Sequence, residues 1–476
     1  MADSTSIAPR QRFIRLSILL AIYLAVVYLL PRPAAVKPEG WRLTGLFIAT
    51  VAGLMLQPIG GGALVLISIT LAAIVGGLTI SQSLAGYSDS TVWLVMAAFF
   101  ISRALINTGL ARRIALVFVR TFGSTSLGVS YALVLSDGLL ATIIPSNGAR
   151  SGGVILPIVR SVAQLYGSEP GPTARLIGSF LMLSVYQGIC VTTAMFFTGQ
   201  ASNPLAAKIA GDVAHYPVTW SSWFVAAVVP GLCSLALVPW VVLKLYPPER
   251  MKTPEAAAFA RDELVKAGSL SSAERILAAV FFCVCGLWVT SGWTKIDVTV
   301  SALVGACALL LTDVITWEDV KNEKSAWDIF VWYGGLLNLG KALNATGVTT
   351  EFAKFVGSWF EGSGWVTLLV VSLLVYYYAH YAFASITAHL LAMYPAFLAV
   401  LLAQGAPPGM AVYTFAFAVN LAAGLTTYGT TPAPMFFAQE YVDFKSWWRV
   451  GFVISLVHLA IWGTIGVAWW KFIGLW

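Results

Sequence analysis

Two short polar segments interrupt long apolar runs, and each carries a basic residue four positions after a serine. The first is Pro145-Ser146-Asn147-Gly148-Ala149-Arg150-Ser151-Gly152-Gly153; the second runs from Tyr376 to Thr387 and continues into Ala388-His389. Serine, threonine and asparagine side chains offer neutral hydrogen bonds, and N–H groups exposed where a helix begins attract negative charge. Such segments suit anion binding, with Ser146, Asn147 and Gly148 at one and Ser385 and Thr387 at the other. A charged side chain at membrane depth is unfavourable unless paired or hydrated, so Arg150 and His389 mark a candidate path. Two plainer readings stand beside this one. Arg150 could be half of a structural ion pair with Asp137, or a headgroup contact, and His389 could be a satisfied neutral histidine in a helix interface. His380 has no counterpart in the first segment and reads as structural or interfacial.

Two further stretches have the same character: Thr198-Gly199-Gln200-Ala201-Ser202-Asn203-Pro204 and Thr426-Thr427-Tyr428-Gly429-Thr430-Thr431-Pro432-Ala433-Pro434. Glycine and proline unwind helices. Thr198, Gly199, Asn203, Gly429 and Pro432 are therefore expected to line a cavity from broken helices, with Thr430 and Thr431 as second-rank binding residues. The alternative is a loop or a proline kink.

The elements that hold these residues must span a membrane. Hydrophobic residues make up 58% of the 476-residue chain and charged residues 10%, against about 25% charged in a soluble domain. That excludes an ordinary cytosolic enzyme. A crossing takes about 20 residues, so roughly 10–14 crossings fit. The net charge of +7 suits basic residues gathered at cytoplasmic helix ends better than nucleic-acid binding. Cys190, Cys233, Cys283, Cys285 and Cys307 all lie in apolar runs and imply neither a disulfide framework nor a metal site. The four histidines (His215, His380, His389 and His458) are widely spread, and no HExxH or GxSxG motif occurs. No enzyme activity, catalytic residue, cofactor or bound metal is expected.

Arg10, Arg12 and Arg15 precede the first apolar run, about Phe13 to Leu30, which is too long for a signal-peptide core. Residues 1–40 read as a cytoplasmic N-terminus and a retained first helix. Residues 247–275 form a polar connector, expected to be cytoplasmic and partly helical. It divides a first half, 41–246, from a second, 276–476. The halves resemble each other: Arg103-Ala104-Leu105 and Thr108-Gly109 recur as Lys341-Ala342-Leu343 and Thr346-Gly347, an offset of 238, and SNGAR lies against SITAH at 239. An odd number of crossings between equivalent points makes such repeats inverted, a common build for secondary transporters. The polar breaks near 145–153 and 382–389 then read as re-entrant hairpin tips, since such backbone cannot face lipid. A polar loop between complete crossings is the rival. The fold class expected is an all-α polytopic membrane protein.

In these segments the chain resembles the divalent anion/sodium symporter superfamily of dicarboxylate and citrate carriers. That family carries a Ser-Asn-Thr motif at the hairpin tip of each of two inverted repeats; here the motifs read Ser146-Asn147-Gly148 and Ser385-Ile386-Thr387. SNGARSGG, FASITAH and TTYGTTPAP look most like the exchanger branch, which includes bacterial citrate/succinate and tartrate/succinate antiporters and plastid 2-oxoglutarate/malate translocators. The resemblance implies a homodimer, a scaffold domain and a transport domain moving as an elevator, and C4 to C6 di- and tricarboxylate substrates such as malate, succinate, 2-oxoglutarate and citrate. It also implies that Arg150 and His389 stand in place of sodium ions and compensate substrate charge. A fixed cation cannot leave with the substrate, so an empty site would cross slowly and the protein would be an obligate exchanger. The expected setting is a bacterial inner membrane, with small carboxylates and lipid as partners and no nucleic acid. A sodium-coupled symporter is the alternative; an anion channel is a further one. The sequence leaves the preferred acid and the direction of exchange open.

Overall fold

The computed structural model describes residues 8–358 and 364–476; Met1–Ile7, the outer part of the N-terminal segment, and residues 359–363 of the second half lie outside the described residues. Among the described residues the regular structure is helical, apart from an isolated bridge between Thr125 and Lys252. Among the described residues nine helices are long and apolar enough to cross a membrane, and three more apolar helices, Gly61–Ile74, Ser126–Ala141 and Val298–Leu311, are shorter. The chain is an all-α polytopic membrane protein.

One order of elements occurs twice. Helix Ser90–Thr108 leads into helix Leu110–Phe122, a hairpin (Ser126–Ala141 and then Asn147 to Leu165), a broken helix (Gly178–Met195 and Ser202–Ala214) and the long helix Trp220–Leu245. Helix Lys324–Ala345 leads likewise into Val348–Ser358, a hairpin (Trp365–Ala379 and Ile386–Ala403), a broken helix (Pro408–Ala422 and Pro432–Phe437) and Phe444–Ile461, which continues to Phe472. The Thr-Gly dipeptides that repeat in sequence sit at the same bend in each series. Gly109 (φ 80°) and Gly347 (φ 83°) adopt the left-handed conformation that lets one helix stop and the next begin at once. Helix starts are fixed by side chains that accept the first free N–H groups: Asp89 from Thr91, Thr125 from Gly128, Thr219 from Ser222 and Ser271 from Glu274.

The two broken helices form the centre. All residues of Gly178–Met195 are buried, and 94% of Pro408–Leu425 is, so both are core helices enclosed on every side, largely apolar but with polar residues such as Gln187 and Asn420 within them. They are tied together where they face each other: Tyr186 Oη donates to Ala423 O at 2.6 Å, and Gln187 Nε2 to Gly424 O at 2.9 Å.

The polar connector contains helix Pro254–Ala267, which packs on the amphipathic helix Leu110–Phe122. Arg113 Nε donates to Glu274 at 2.8 Å and Nη1 to Gly268 O at 2.8 Å, Arg112 pairs with Glu263 at 2.9 Å, and Thr253 Oγ1 donates to Gly123 O at 2.9 Å. At this end of the molecule Asn107 Nδ2 donates to Asp319 at 2.9 Å, so helix Lys324–Ala345 also starts here. At the far end Asp89 pairs with Lys341 at 2.9 Å and Lys208 at 3.8 Å.

Candidate substrate site

The two hairpin tips open onto one cavity of about 1190 Å³, lined by Ser146, Asn147, Ser385, Thr387 and Thr431 among others. Its floor is buried, with Asn147, Gln200 and Ser202 all 7% exposed or less. Its rim is exposed at Arg12, Gln57, Gly60 and Asp328. These rim segments belong to the connector end of the molecule.

Each tip is built the same way. The chain arrives extended at Ser146 and Ser385, and each serine caps the following helix: Ser146 Oγ accepts from Ala149 N–H at 3.1 Å, and Ser385 Oγ from Ala388 N–H at 3.4 Å. Each hydroxyl proton remains free to donate to an anion. Two helix N-termini, each equivalent to roughly +0.5 charge, meet at the cavity with their caps lining it. Gly148 is needed for close approach: a Cβ there would stand 2.8 Å from Thr431 Cγ2. The first tip thereby rests on the second broken helix, and Asn147 Nδ2 donates to Thr430 Oγ1 at 2.9 Å.

Arg150 lies behind the first tip, fully buried, and does not line the cavity. All five of its N–H groups are used. Nε and Nη2 reach the fully buried Asp137 carboxylate at 2.8 and 3.4 Å, Nη1 reaches Ile144 O at 2.7 Å and Gly199 O at 2.6 Å, and Nη2 reaches Thr193 Oγ1 at 3.3 Å. Thr192 also donates to Asp137. The guanidinium therefore joins the tip carbonyl to the carbonyl of the first broken helix, with its charge met by Asp137.

His389 lies behind the second tip, also fully buried, against Tyr376 and Phe383 with ring centroids 4.3 and 4.7 Å away. Its Nδ1 is 2.8 Å from His380 Nδ1, and His380 Nε2 is 2.9 Å from Gly429 O. A carbonyl only accepts, so His380 Nε2 carries a proton; in a neutral His380 the Nδ1 then accepts from His389 Nδ1–H. His380 thus makes in the second series the contact that Arg150 makes in the first, from a side chain to a broken-helix carbonyl. His389 Nε2 has no hydrogen-bond partner among the described residues.

The remaining expected residues are placed as follows. Thr198 is 2% exposed and donates to Ala141 O at 3.0 Å and to Thr142 O, tying the first broken helix to the approach to the tip. Asn203, also buried, donates to Thr193 O and Phe196 O, and its Oδ1 accepts from Asn420 Nδ2 at 2.9 Å. Gly199 and Gly429 contribute their carbonyls, and Pro432 starts the second half of its broken helix. None of these five lines the cavity; they support the residues that do. Sequence reasoning passed over Gln200 and Asn420, although Gln200 Nε2 donates to Asn420 Oδ1 at 2.8 Å and so joins the two series. A lone amide in the apolar run around Asn420 was the available signal.

A polytopic helical protein with two capped tips and two broken helices around one polar cavity is built as a carrier of small anions. It matches the family described as "Sodium:sulfate symporter transmembrane region" over residues 10–476, and the chain belongs to that family, within the divalent anion/sodium symporter superfamily. Among its relatives are the "Putative malate transporter YflS" of Bacillus subtilis (44% identical over 95% of each chain) and "Dicarboxylate transporter 1, chloroplastic" of Arabidopsis thaliana (40% identical over 95% of this chain and 82% of that one). The "Inner membrane protein YbhI" of Escherichia coli is 34% identical over 97% of this chain and 98% of that one. The crystal structure of the YdaH transporter of Alcanivorax borkumensis is similar over 98% of this chain and 99% of that one, with a TM-score of 0.50 and 14% identity, a likeness of fold alone.

Proposed function

We propose that this protein exchanges dicarboxylates of the malate, succinate and 2-oxoglutarate type across a bacterial inner membrane, independently of sodium and without enzymatic chemistry. The names of the malate and dicarboxylate transporters among its relatives support the substrate class. The observation that carries sodium independence is the occupation of the carbonyls of Ile144, Gly199 and Gly429 by N–H groups of Arg150 and His380. Carbonyls of unwound helix segments are the usual ligands of a coupling sodium, and here side chains hold them.

In this reading Ser146, Asn147 and Gly148 face one carboxylate and Ser385 and Thr387 the other, with Thr431 beside them and Thr430 holding Asn147. Arg150 and His389 act from behind the tips. The Arg150 charge is met by Asp137 and His389 is buried away from the cavity, so the charge argument for exchange takes a different form from the one the sequence suggests. An empty site would carry two helix N-termini and a set of free hydroxyl and amide groups through a low-dielectric barrier, which is unfavourable. A bound dicarboxylate satisfies them. Movement is thereby favoured for the loaded protein alone, by an elevator-like shift of the hairpins and broken helices in a homodimer.

The test is uptake of labelled malate into proteoliposomes, with or without internal malate, in sodium or potassium medium. Uptake that needs internal malate and ignores sodium is expected. Sodium-dependent uptake into empty liposomes would make the protein a symporter, and non-saturating flux without trans-stimulation would make it a channel.

A further inference from the structure

We propose that Arg12 and Arg15, on the first helix, form a one-sided capture site that holds the carboxylate substrate at the rim of the cavity before it reaches the tips. The inference rests on the dicarboxylate-exchange reading above and adds to it an asymmetry between the two faces of the membrane.

Arg12 and Arg15 line the same cavity as Ser146, Asn147, Ser385 and Thr387, and they are its basic residues among the described ones. Arg150 is buried behind the tip and its charge is met by Asp137, so these two arginines supply the positive charge that an arriving dianion meets. Neither has an ion-pair partner among the described residues. Arg15 is held in place by one hydrogen bond, Nη1 to Leu56 O at 2.6 Å, which leaves its other N–H groups free. Leu56 ends helix Pro38–Leu56, and the next residue, Gln57, turns left-handed (φ 48°) toward the cavity. Arg12 stands one turn closer to the rim and is exposed. Asp328, the single acid of the lining among the described residues, lies against Gly62 at the start of helix Gly61–Ile74 rather than on either arginine.

The asymmetry follows from topology. The repeated order of elements begins at Ser90–Thr108, and among the described residues helix Pro9–Leu24 has no counterpart in the second series. When the tips face the other side of the membrane, no equivalent pair of arginines meets the substrate. Arginine suits the task because its planar fork matches a carboxylate and its charge does not vary with pH. A basic vestibule raises the local concentration of an anion and the rate at which it arrives, and salt screens the effect.

The experiment compares right-side-out and inside-out membrane vesicles from cells making the full chain, with saturating unlabelled malate on the far side. The KM for labelled malate is read on each face at low and high KCl. For Arg12→Gln/Arg15→Gln, KM should rise about five- to ten-fold on the N-terminal face and stay within about two-fold on the other, with loss of salt dependence on the N-terminal face only. Arg12→Lys/Arg15→Lys should recover most of the affinity. The single variant Arg12→Gln, at an exposed position, should fold and shift KM in the same one-sided way if the double variant does not fold. Equal shifts on both faces, or no shift on either, would overturn the proposal while leaving exchange intact. Wild-type vesicles that show no malate exchange would overturn the exchange reading and the capture site with it.

Discussion

Arg150 takes its counter-charge into the interior with it. Asp137, Ile144 O, Gly199 O and Thr193 use every N–H the guanidinium has, so removing the side chain leaves a buried carboxylate with Thr192 alone and two carbonyls without partners. Arg150→Ala should abolish exchange and lower stability by about 3–5 kcal/mol, the usual penalty for an orphaned buried charge. Arg150→Ala/Asp137→Ala should regain much of the stability, because no charge is then stranded, yet remain inactive because the tip is no longer tied to the broken helix. Thermal unfolding in detergent alongside exchange assays separates the two effects; full activity in the double variant would mean that the tie is dispensable. At the first tip, Gly148→Ala would bring a Cβ within 2.8 Å of Thr431 Cγ2 and push the tip off the second broken helix. A rise in the malate KM of about ten-fold or more is expected, since a displacement of about 1 Å in a positioned site is felt at that scale; an unchanged KM would show that the tips tolerate separation. The tip residues were legible from sequence because a polar break in an apolar run has few permitted locations. The partner of Arg150 was legible only as an alternative, because spacing does not say which way a guanidinium points. His380 reads from sequence as structural or interfacial, and its particular contacts, with His389 and Gly429, come through space and are not legible from spacing.

The helices owe their boundaries to short-range chemistry, and the repeated Thr-Gly bend is the clearest instance. Gly109 and Gly347 both need φ near +80°, so a sequence match of two residues marks a conserved backbone event in each series. The apolar runs are readable because a helix enclosed on every side must be mostly apolar, the polar residues within it, such as Gln187 and Asn420, being hydrogen-bonded inside. The connector was read as polar and partly helical, but its packing was not legible: nothing in its composition says that Arg112 and Arg113 on helix Leu110–Phe122 meet Glu263 and Glu274. Those pairs predict an effect of their own. Arg113→Ala leaves the buried Glu274 carboxylate without its main partner, and should lower stability by about 1–3 kcal/mol, with Arg113→Lys less harmful. Arg112→Ala, whose side chain is 58% exposed, should change stability by no more than about 1 kcal/mol. Equal effects in the two variants, measured by thermal unfolding, would contradict the difference in burial.

For the molecule as a whole, the cavity opens at the connector end, while at the opposite end Asp89 holds Lys341 and Lys208. Lys208 belongs to the second half of a broken helix and Asp89 caps a helix of the surrounding frame. Their contact must break if the tips are to face the other way. Lys208→Ala should therefore shift the resting population away from the present arrangement by about two- to five-fold, the scale of one loose, partly buried ion pair. The shift is read as slower labelling of a Thr431→Cys probe from the connector side, with the exposed Cys283 and Cys307 replaced by serine. Unaltered labelling would remove the pair from any gating role. The double series was visible in sequence as two weak matches at nearly one offset, whereas the ionic contacts that close one end were not, because they join residues more than a hundred positions apart. The carbonyls held by Arg150 and His380 have a last consequence. A site whose carbonyls are already held by its own side chains would, in the proposed reading, have no ion to load first and draw no force from a sodium gradient. The proposed exchange would then shift the mix of organic acids on either side while the total number of molecules on each side stays the same.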